Sequence, residues 1–120
     1  MIVPDMEFDI MWEDKKIGHV KIEDEKVVCA EQDECKPWER LLPMVDKIDI
    51  PLMSRMLELR CWERGRDDIR EILDYLGIED YNPFLIVQKT HGTDYDDKQW
   101  LRFKGETLTW ADVNPRRERH

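Results

Sequence analysis

The chain has 120 residues, 39% of them charged, and 28 Asp and Glu against 19 Lys and Arg give a net charge of −9. That length fits one domain and leaves no room for two full ones. No apolar run approaches the roughly 20 residues of a membrane-spanning helix, and 5 Gly and 6 Pro exclude a collagen-like or linker chain.

Residues 6–12 alternate, with Met6, Phe8 and Ile10 on one side and Glu7 and Asp9 on the other, the period of a half-buried strand. The polar turn Glu13-Asp14-Lys15-Lys16 leads to a second strand over 17–22. Glu23-Asp24-Glu25-Lys26 then turns into a third over 27–30. These segments predict a three-stranded antiparallel meander. Pro37, Pro43 and Pro51 forbid a long helix through 31–50, where a short helical turn over 38–42 is expected.

Apolar steps of three and four over 52–62 predict a first helix, with Asp49 and Pro51 at its start and Gly65 as its stop. Ile69, Ile72, Leu73 and Leu76 predict a second helix over 67–76, closed by Gly77. Asn82-Pro83 opens a third over 83–90, an N-cap followed by proline at the first helical position. Trp100-Leu101-Arg102-Phe103 alternates as a strand, and Thr107–Trp110 either returns as its hairpin partner or enters a helical turn at Ala111. The expected fold is α+β: an N-terminal three-stranded antiparallel meander, about three short helices and a C-terminal β-hairpin. Residues 1–113 form the single domain and 114–120 a frayed basic tail.

The acidity is uneven: residues 1–50 hold 14 acids against 7 bases, and residues 51–120 hold 14 against 12. Such a surface repels phosphate, so direct nucleic-acid binding is not expected. Cys29, Cys35 and Cys61 lack metal-site or redox-motif spacing. An odd number of cysteines and an N-terminus without a signal-like apolar stretch lead to a cytoplasmic expectation, with no membrane association.

Motifs for chemistry are sparse. No phosphate-binding glycine loop or kinase catalytic loop occurs, and the only serine, Ser54, lies in a predicted helix. His91, Asp94, Asp96 and Asp97 are the densest acid–imidazole group, but their spacing matches no calcium loop and reads as turn-capping. His19 reads as a strand-face residue. The expectation is a protein that is not an enzyme, with no metal and no cofactor. Arg55, Arg60, Arg64, Arg66 and Arg70 are a local excess of guanidinium, either paired internally with nearby acids or facing an acidic partner. Trp62, Trp100, Phe103 and Trp110 are core candidates, and any tryptophan left exposed would mark a binding hot spot.

Three pieces over residues 57–110 carry a family resemblance. They are Arg60-Cys61-Trp62-Glu63-Arg64-Gly65-Arg66, then Ile69-x-x-Ile72-Leu73-x-x-Leu76-Gly77, then Gly92-x4-Asp97-x-x-Trp100 leading into a strand. In this order they resemble the N-terminal part of HipA-like serine/threonine kinases, ahead of the kinase core. The chain departs from that pattern at Glu63, where proline is expected, and in the acid-rich loop Asp94-Tyr95-Asp96-Asp97. The resemblance implies a stand-alone version of a kinase N-terminal subdomain, which in related toxin–antitoxin systems binds and restrains the kinase. It carries over no catalytic residue.

Two functional expectations follow. The first is a non-catalytic protein-interaction module, a regulator or antitoxin-like partner of a HipA-like kinase in a bacterial or mobile-element context, with Arg60, Trp62, Arg64, Arg66 and Trp100 as contacts. The alternative is an acidic inhibitor that mimics nucleic acid to a DNA-binding enzyme, of the anti-restriction or anti-CRISPR type. Its surface would be Glu7, Asp9, Glu13, Asp14, Glu23, Asp24 and Glu25. Neither reading fixes an oligomeric state.

Overall fold

Charged turns organise the first half of the chain in the computed structural model, which describes residues 2–116. Strands β1 (Met6–Trp12), β2 (Lys15–Glu23) and β3 (Lys26–Gln32) form the expected antiparallel meander. At the β2–β3 turn Asp24 and Glu25 both take positive φ, 52° and 60°, as a two-residue hairpin turn of the favoured twist requires. Asp24 belongs with glycine and asparagine among the residues that visit this region, but Glu25 does not.

The fourth strand, β4 (Gln99–Phe103), pairs antiparallel with β1, so the sheet order is β3-β2-β1-β4. The expected C-terminal hairpin resolves the other way. Residues 106–109 join no strand and lead into the short helix α4 (Trp110–Val113), the helical alternative at Ala111. Phe103 finds its cross-strand partner in Phe8, with ring centroids 5.5 Å apart.

Three helices follow the meander: α1 (Ile50–Glu58), α2 (Ile69–Leu76) and α3 (Pro83–Thr90). Asp49 caps α1 by accepting from the Leu52 N–H at 3.0 Å. Asn82 caps α3 by accepting from the Phe84 N–H at 3.0 Å. Gly77 closes α2 with φ of 74°. α1 is shorter than its apolar spacing predicts, because the chain turns at Leu59 and Arg60 to send the Arg60 side chain inward. A helical turn does form in the proline-rich stretch, but as the 3₁₀ turn Pro37–Glu39 rather than over 38–42.

One face of the sheet carries the core. Phe8, Ile10, Val20, Ile22 and Leu101 pack with Met53 and Leu57 of α1 and Phe84 and Val87 of α3. A smaller cluster joins Leu73 of α2 to Ile78 and Ile86, so α2 is held by α3 rather than by the sheet. Gly18 is obligatory at a close approach in this sheet. A Cβ there would lie 2.7 Å from the Glu31 carbonyl oxygen and 2.9 Å from Ile10 Cδ1. β3 forms one edge, and its bulge at Val28 breaks the regular ladder, a feature that blunts exposed edges. Along β4, the Leu101 N–H donates to the His91 carbonyl at the end of α3 at 2.8 Å. Among the described residues no helix is long and apolar enough to cross a membrane.

Candidate functional site

The chain leaves α1 and enters a loop, residues 59–68, whose base is fixed by one side chain. Arg60 donates from Nη1 and Nη2 to both oxygens of Asp97 at 2.6 and 2.8 Å. It donates further to the carbonyls of Gly92 at 2.8 Å and Gln99 at 2.9 Å. Its side chain is only 8% exposed. A planar guanidinium meets this fork of acceptors in a way a lysine ammonium cannot. The bonds tie the loop to the segment that precedes β4.

Beyond Arg60 the loop turns outward. Leu59 is 70% and Trp62 39% exposed. The Tyr81 hydroxyl donates to the Trp62 carbonyl at 2.6 Å, and the Arg64 guanidinium lies 4.3 Å from the centre of the Tyr81 ring. Burial, with the nearby Cys61 and Glu58, pushes the Tyr81 hydroxyl up to about 12, so it stays a hydrogen-bond donor at neutral pH. Arg64 pairs with Glu58 at 3.2 Å and Arg66 with Asp68 at 2.6 Å, both at the surface. Arg70 pairs with Asp74 at 2.8 Å. Among the described residues, four of the five clustered arginines therefore have carboxylate partners, the exception being Arg55. Exposed pairs of this kind contribute about 0–1 kcal/mol, so a partner carboxylate can replace them at little cost.

The five expected contact residues thus divide. Trp62, Arg64 and Arg66 share the loop surface. Arg60 and Trp100 are interior and leave the contact set. Arg60 is consumed by Asp97, Gly92 and Gln99. Trp100 is fully buried, its indole N–H donating to the Glu13 carbonyl at 2.7 Å.

The expected acidic face divides as well. Glu7 and Asp9 lie on the sheet face opposite the helices, within a mixed-charge network. His19 places Nε2 2.9 Å from Glu7 and Nδ1 2.8 Å from Asp9. Asp9 also meets Arg102 at 3.2 Å and Lys16 at 3.7 Å, and Glu7 meets Lys104 at 3.6 Å. Burial opposes ionisation of both carboxyls, but the His19 hydrogen bonds and the surrounding cations outweigh it and hold both below their usual values. Glu13 and Asp14 occupy the β1–β2 turn, where Glu13 meets Lys98 at 3.5 Å and Asp14 accepts from the Trp110 N–H at 2.8 Å. Glu23, Asp24 and Glu25 lie at the opposite end of β2, roughly 25 Å away at the usual rise of a strand. No single patch unites the seven acids.

The acid–imidazole group is dispersed in the same way. His91 meets Glu106 at 2.8 Å, Asp97 is held by Arg60, and Asp94 accepts from the Asp96 N–H at 2.9 Å. Among the described residues no three His, Cys, Asp or Glu are arranged to hold a metal ion. The three cysteines are unbridged, and burial pushes Cys61 up to about 12, away from nucleophilic reactivity.

Sequence reasoning missed the His19 network and the anchoring side chains Gln32 and Glu39. The strand alternation holds a signal for the first, since Glu7, Asp9 and His19 occupy the polar positions of adjacent strands. Gln32 and Glu39 carry no periodic signal. Compared with protein-family models, curated proteins and solved structures, the chain has no match.

Proposed function

We propose that this chain is a non-catalytic protein-interaction module that docks through residues 59–66. One observation carries the reading: a loop presenting Leu59, Trp62, Arg64 and Arg66 is held at its base by the four hydrogen bonds of Arg60. Tryptophan and arginine are the residue types that dominate binding hot spots. Holding them on a fixed loop lowers the ordering entropy lost on association. The arginines select for carboxylates on the partner. The resemblance of 57–110 to the N-terminal part of HipA-like kinases makes such a kinase the first partner to test. The role is then that of a cytoplasmic regulator or antitoxin-like protein in a bacterial or mobile-element setting. The nucleic-acid-mimic reading draws less support, because Glu7, Asp9, Glu13 and Glu23 each have a lysine or arginine within 4 Å.

The test is capture of partners from the native cell with tagged wild type and a Trp62→Ser/Arg64→Ser variant, each at low and high salt. The reading expects a kinase retained by the wild type at both salts and lost from the variant. A partner held equally by the variant, or a DNA-binding enzyme released by salt, overturns it.

A further inference from the structure

The two edges of the sheet are finished differently. On β4, the Lys104 N–H donates to the Glu7 carbonyl, so the alternation of an antiparallel pair turns Gln99, Leu101 and Phe103 outward. Each of their N–H groups is taken: Gln99 by the Asp97 carboxylate at 3.1 Å, Leu101 by the His91 carbonyl at 2.8 Å and Phe103 by the Glu106 carboxylate at 2.7 Å. Arg60 donates to the Gln99 carbonyl at 2.9 Å and the Glu106 N–H to the Phe103 carbonyl at 3.0 Å. That edge is closed.

The β3 edge is open. The Asp33 N–H donates to the Ile17 carbonyl at 2.9 Å, and the same alternation turns the main-chain groups of Ala30 and Gln32 away from β2. Among the described residues, none of these N–H and carbonyl groups has a hydrogen-bond partner. The bulge at Val28 ends the regular spacing, which leaves residues 29–32 as the open stretch. Beside them lies an open groove of about 400 Å³, lined by Ala30 and Gln32 and by Leu42, Met44, Val45 and Ile48 of the stretch before α1, among others. Met44 is 87% and Val45 52% exposed.

We propose that this edge takes up an extended segment of another protein as an added strand. Open N–H and C=O groups at every second residue match the repeat of a second extended backbone. An antiparallel strand exchanges both main-chain bonds with Ala30 and both with Gln32. Its side chains alternate between the two faces of the sheet. Those on the face of Ala30, which packs against the core, enter the groove beside Met44, Val45 and Ile48. Those on the face of Cys29 and Glu31 lie on the polar side of the sheet with His19 and Lys21. The segment that fits therefore alternates apolar and polar residues. Arg40 and Asp46, one of each sign, also line the groove, so charge selects neither an acidic nor a basic segment. A second copy of this chain fits poorly. The register that uses all the open groups sets Ala30 against Gln32, and so Glu31 against its own counterpart, like charges directly opposite.

The probe is a short capped peptide of alternating Thr and Val, added to the full chain at saturation and followed by hydrogen exchange at single residues. In the free protein the Ala30 and Gln32 amides are expected to exchange fast and those of Glu31 and Asp33 slowly. The peptide is expected to slow Ala30 and Gln32 at least about tenfold, the scale of one added hydrogen bond. The same peptide N-methylated on two consecutive central residues keeps its side chains, loses donors on both edges and is expected to give no protection. Ala30→Pro removes an outward N–H and no ladder bond, a change that edge strands tolerate. It is expected to keep the wild-type circular dichroism and to bind the peptide at least about tenfold more weakly. No protection of Ala30 and Gln32 by the peptide, equal protection by its N-methylated form, or a wild type that self-associates through this edge in sedimentation each overturns the proposal. Neither the peptide site nor the variant touches residues 59–66, so the outcome is independent of docking there.

Discussion

Two irregular stretches flank α1, and they are held by different chemistry. The loop after the helix, residues 59–68, is fixed by a cation: Arg60 reaches Asp97, Gly92 and Gln99, each more than 30 positions away in sequence. The stretch before it, residues 33–49, is fixed mainly by an amide and a carboxylate. Gln32 Oε1 accepts from the N–H groups of Leu41 at 3.3 Å and Leu42 at 3.1 Å, and its Nε2 donates to the Ile17 carbonyl. Glu39 accepts from the Lys36 N–H at 2.9 Å and from Lys15 at 3.2 Å, while its own carbonyl accepts from Gln99 at 2.8 Å. A loop without a ladder must satisfy its buried polar groups side chain by side chain. The comparison teaches that one buried side chain can set a stretch of ten or more residues, and that its charge decides how costly its loss is.

Arg60→Ala should be the most damaging change. It leaves Asp97 without its cation and two carbonyls without donors. The expected loss is about 3 kcal/mol, near the low end for a broken buried pair because Asp97 is 30% exposed. Chemical denaturation measures this, and Arg60→Lys should recover only a minor part, since an ammonium cannot serve the whole fork. Gln32→Ala should cost less, roughly 2 kcal/mol, because it orphans neutral N–H groups. Equal losses for the two variants would break the distinction between the anchors.

The carboxylate anchor adds a pH dependence. The Lys36 N–H and the Lys15 ammonium outweigh the effect of burial and hold Glu39 below its usual value of 4.5. A carboxyl lowered by folding stabilises the fold fully above its ordinary value and loses that contribution as pH falls through its lower folded value. Stability measured by urea unfolding should therefore fall as the pH drops below about 4.5, the ordinary value of Glu39. Glu39→Gln should flatten part of that decline; an unchanged profile would remove Glu39 as an acid-sensitive anchor. Glu7, Asp9 and Asp68, also lowered, act in the same direction.

Two smaller effects sharpen the picture. Burial holds the Cys61 thiol at about 12, so alkylation at mildly alkaline pH should be slow in the native protein. Arg60→Ala removes a cation that lowers the Cys61 thiol, but it also frees the loop that buries it, and the lost burial should dominate and accelerate alkylation; Gln32→Ala should not, a separation that mass spectrometry resolves directly. Outside both stretches, Glu25→Gly relieves the positive φ of 60° at the β2–β3 turn. It should raise stability by about 1 kcal/mol, the scale of a left-handed residue with a side chain. A decrease would mean that the Glu25 side chain itself supports the turn.

The same contrast explains what was legible in the sequence. Alternation located β1 with Glu7 and Asp9 on its polar face, and the caps Asn82 and Gly77 located the ends of α3 and α2. These are local signals, complete within a few residues. The α+β architecture followed from them. Arg60 and Trp100 were assigned to the contact surface because nothing near them in sequence shows that Asp97 and the Glu13 carbonyl await them. The pairing of β4 with β1 across the chain is long-range in the same sense, and it displaced the local hairpin. Of the loop proposed to dock a partner, Trp62, Arg64 and Arg66 were legible from residue type alone, while their support by Arg60 and Tyr81 was not.

Hydrogen exchange of residues 59–66, compared between the free protein and its complex with the captured partner, tests the central claim most directly. The account expects added protection concentrated at Leu59–Arg66, with the sheet face around His19 unchanged. Protection that leaves this loop untouched and falls on the sheet face or its acidic turns would contradict it.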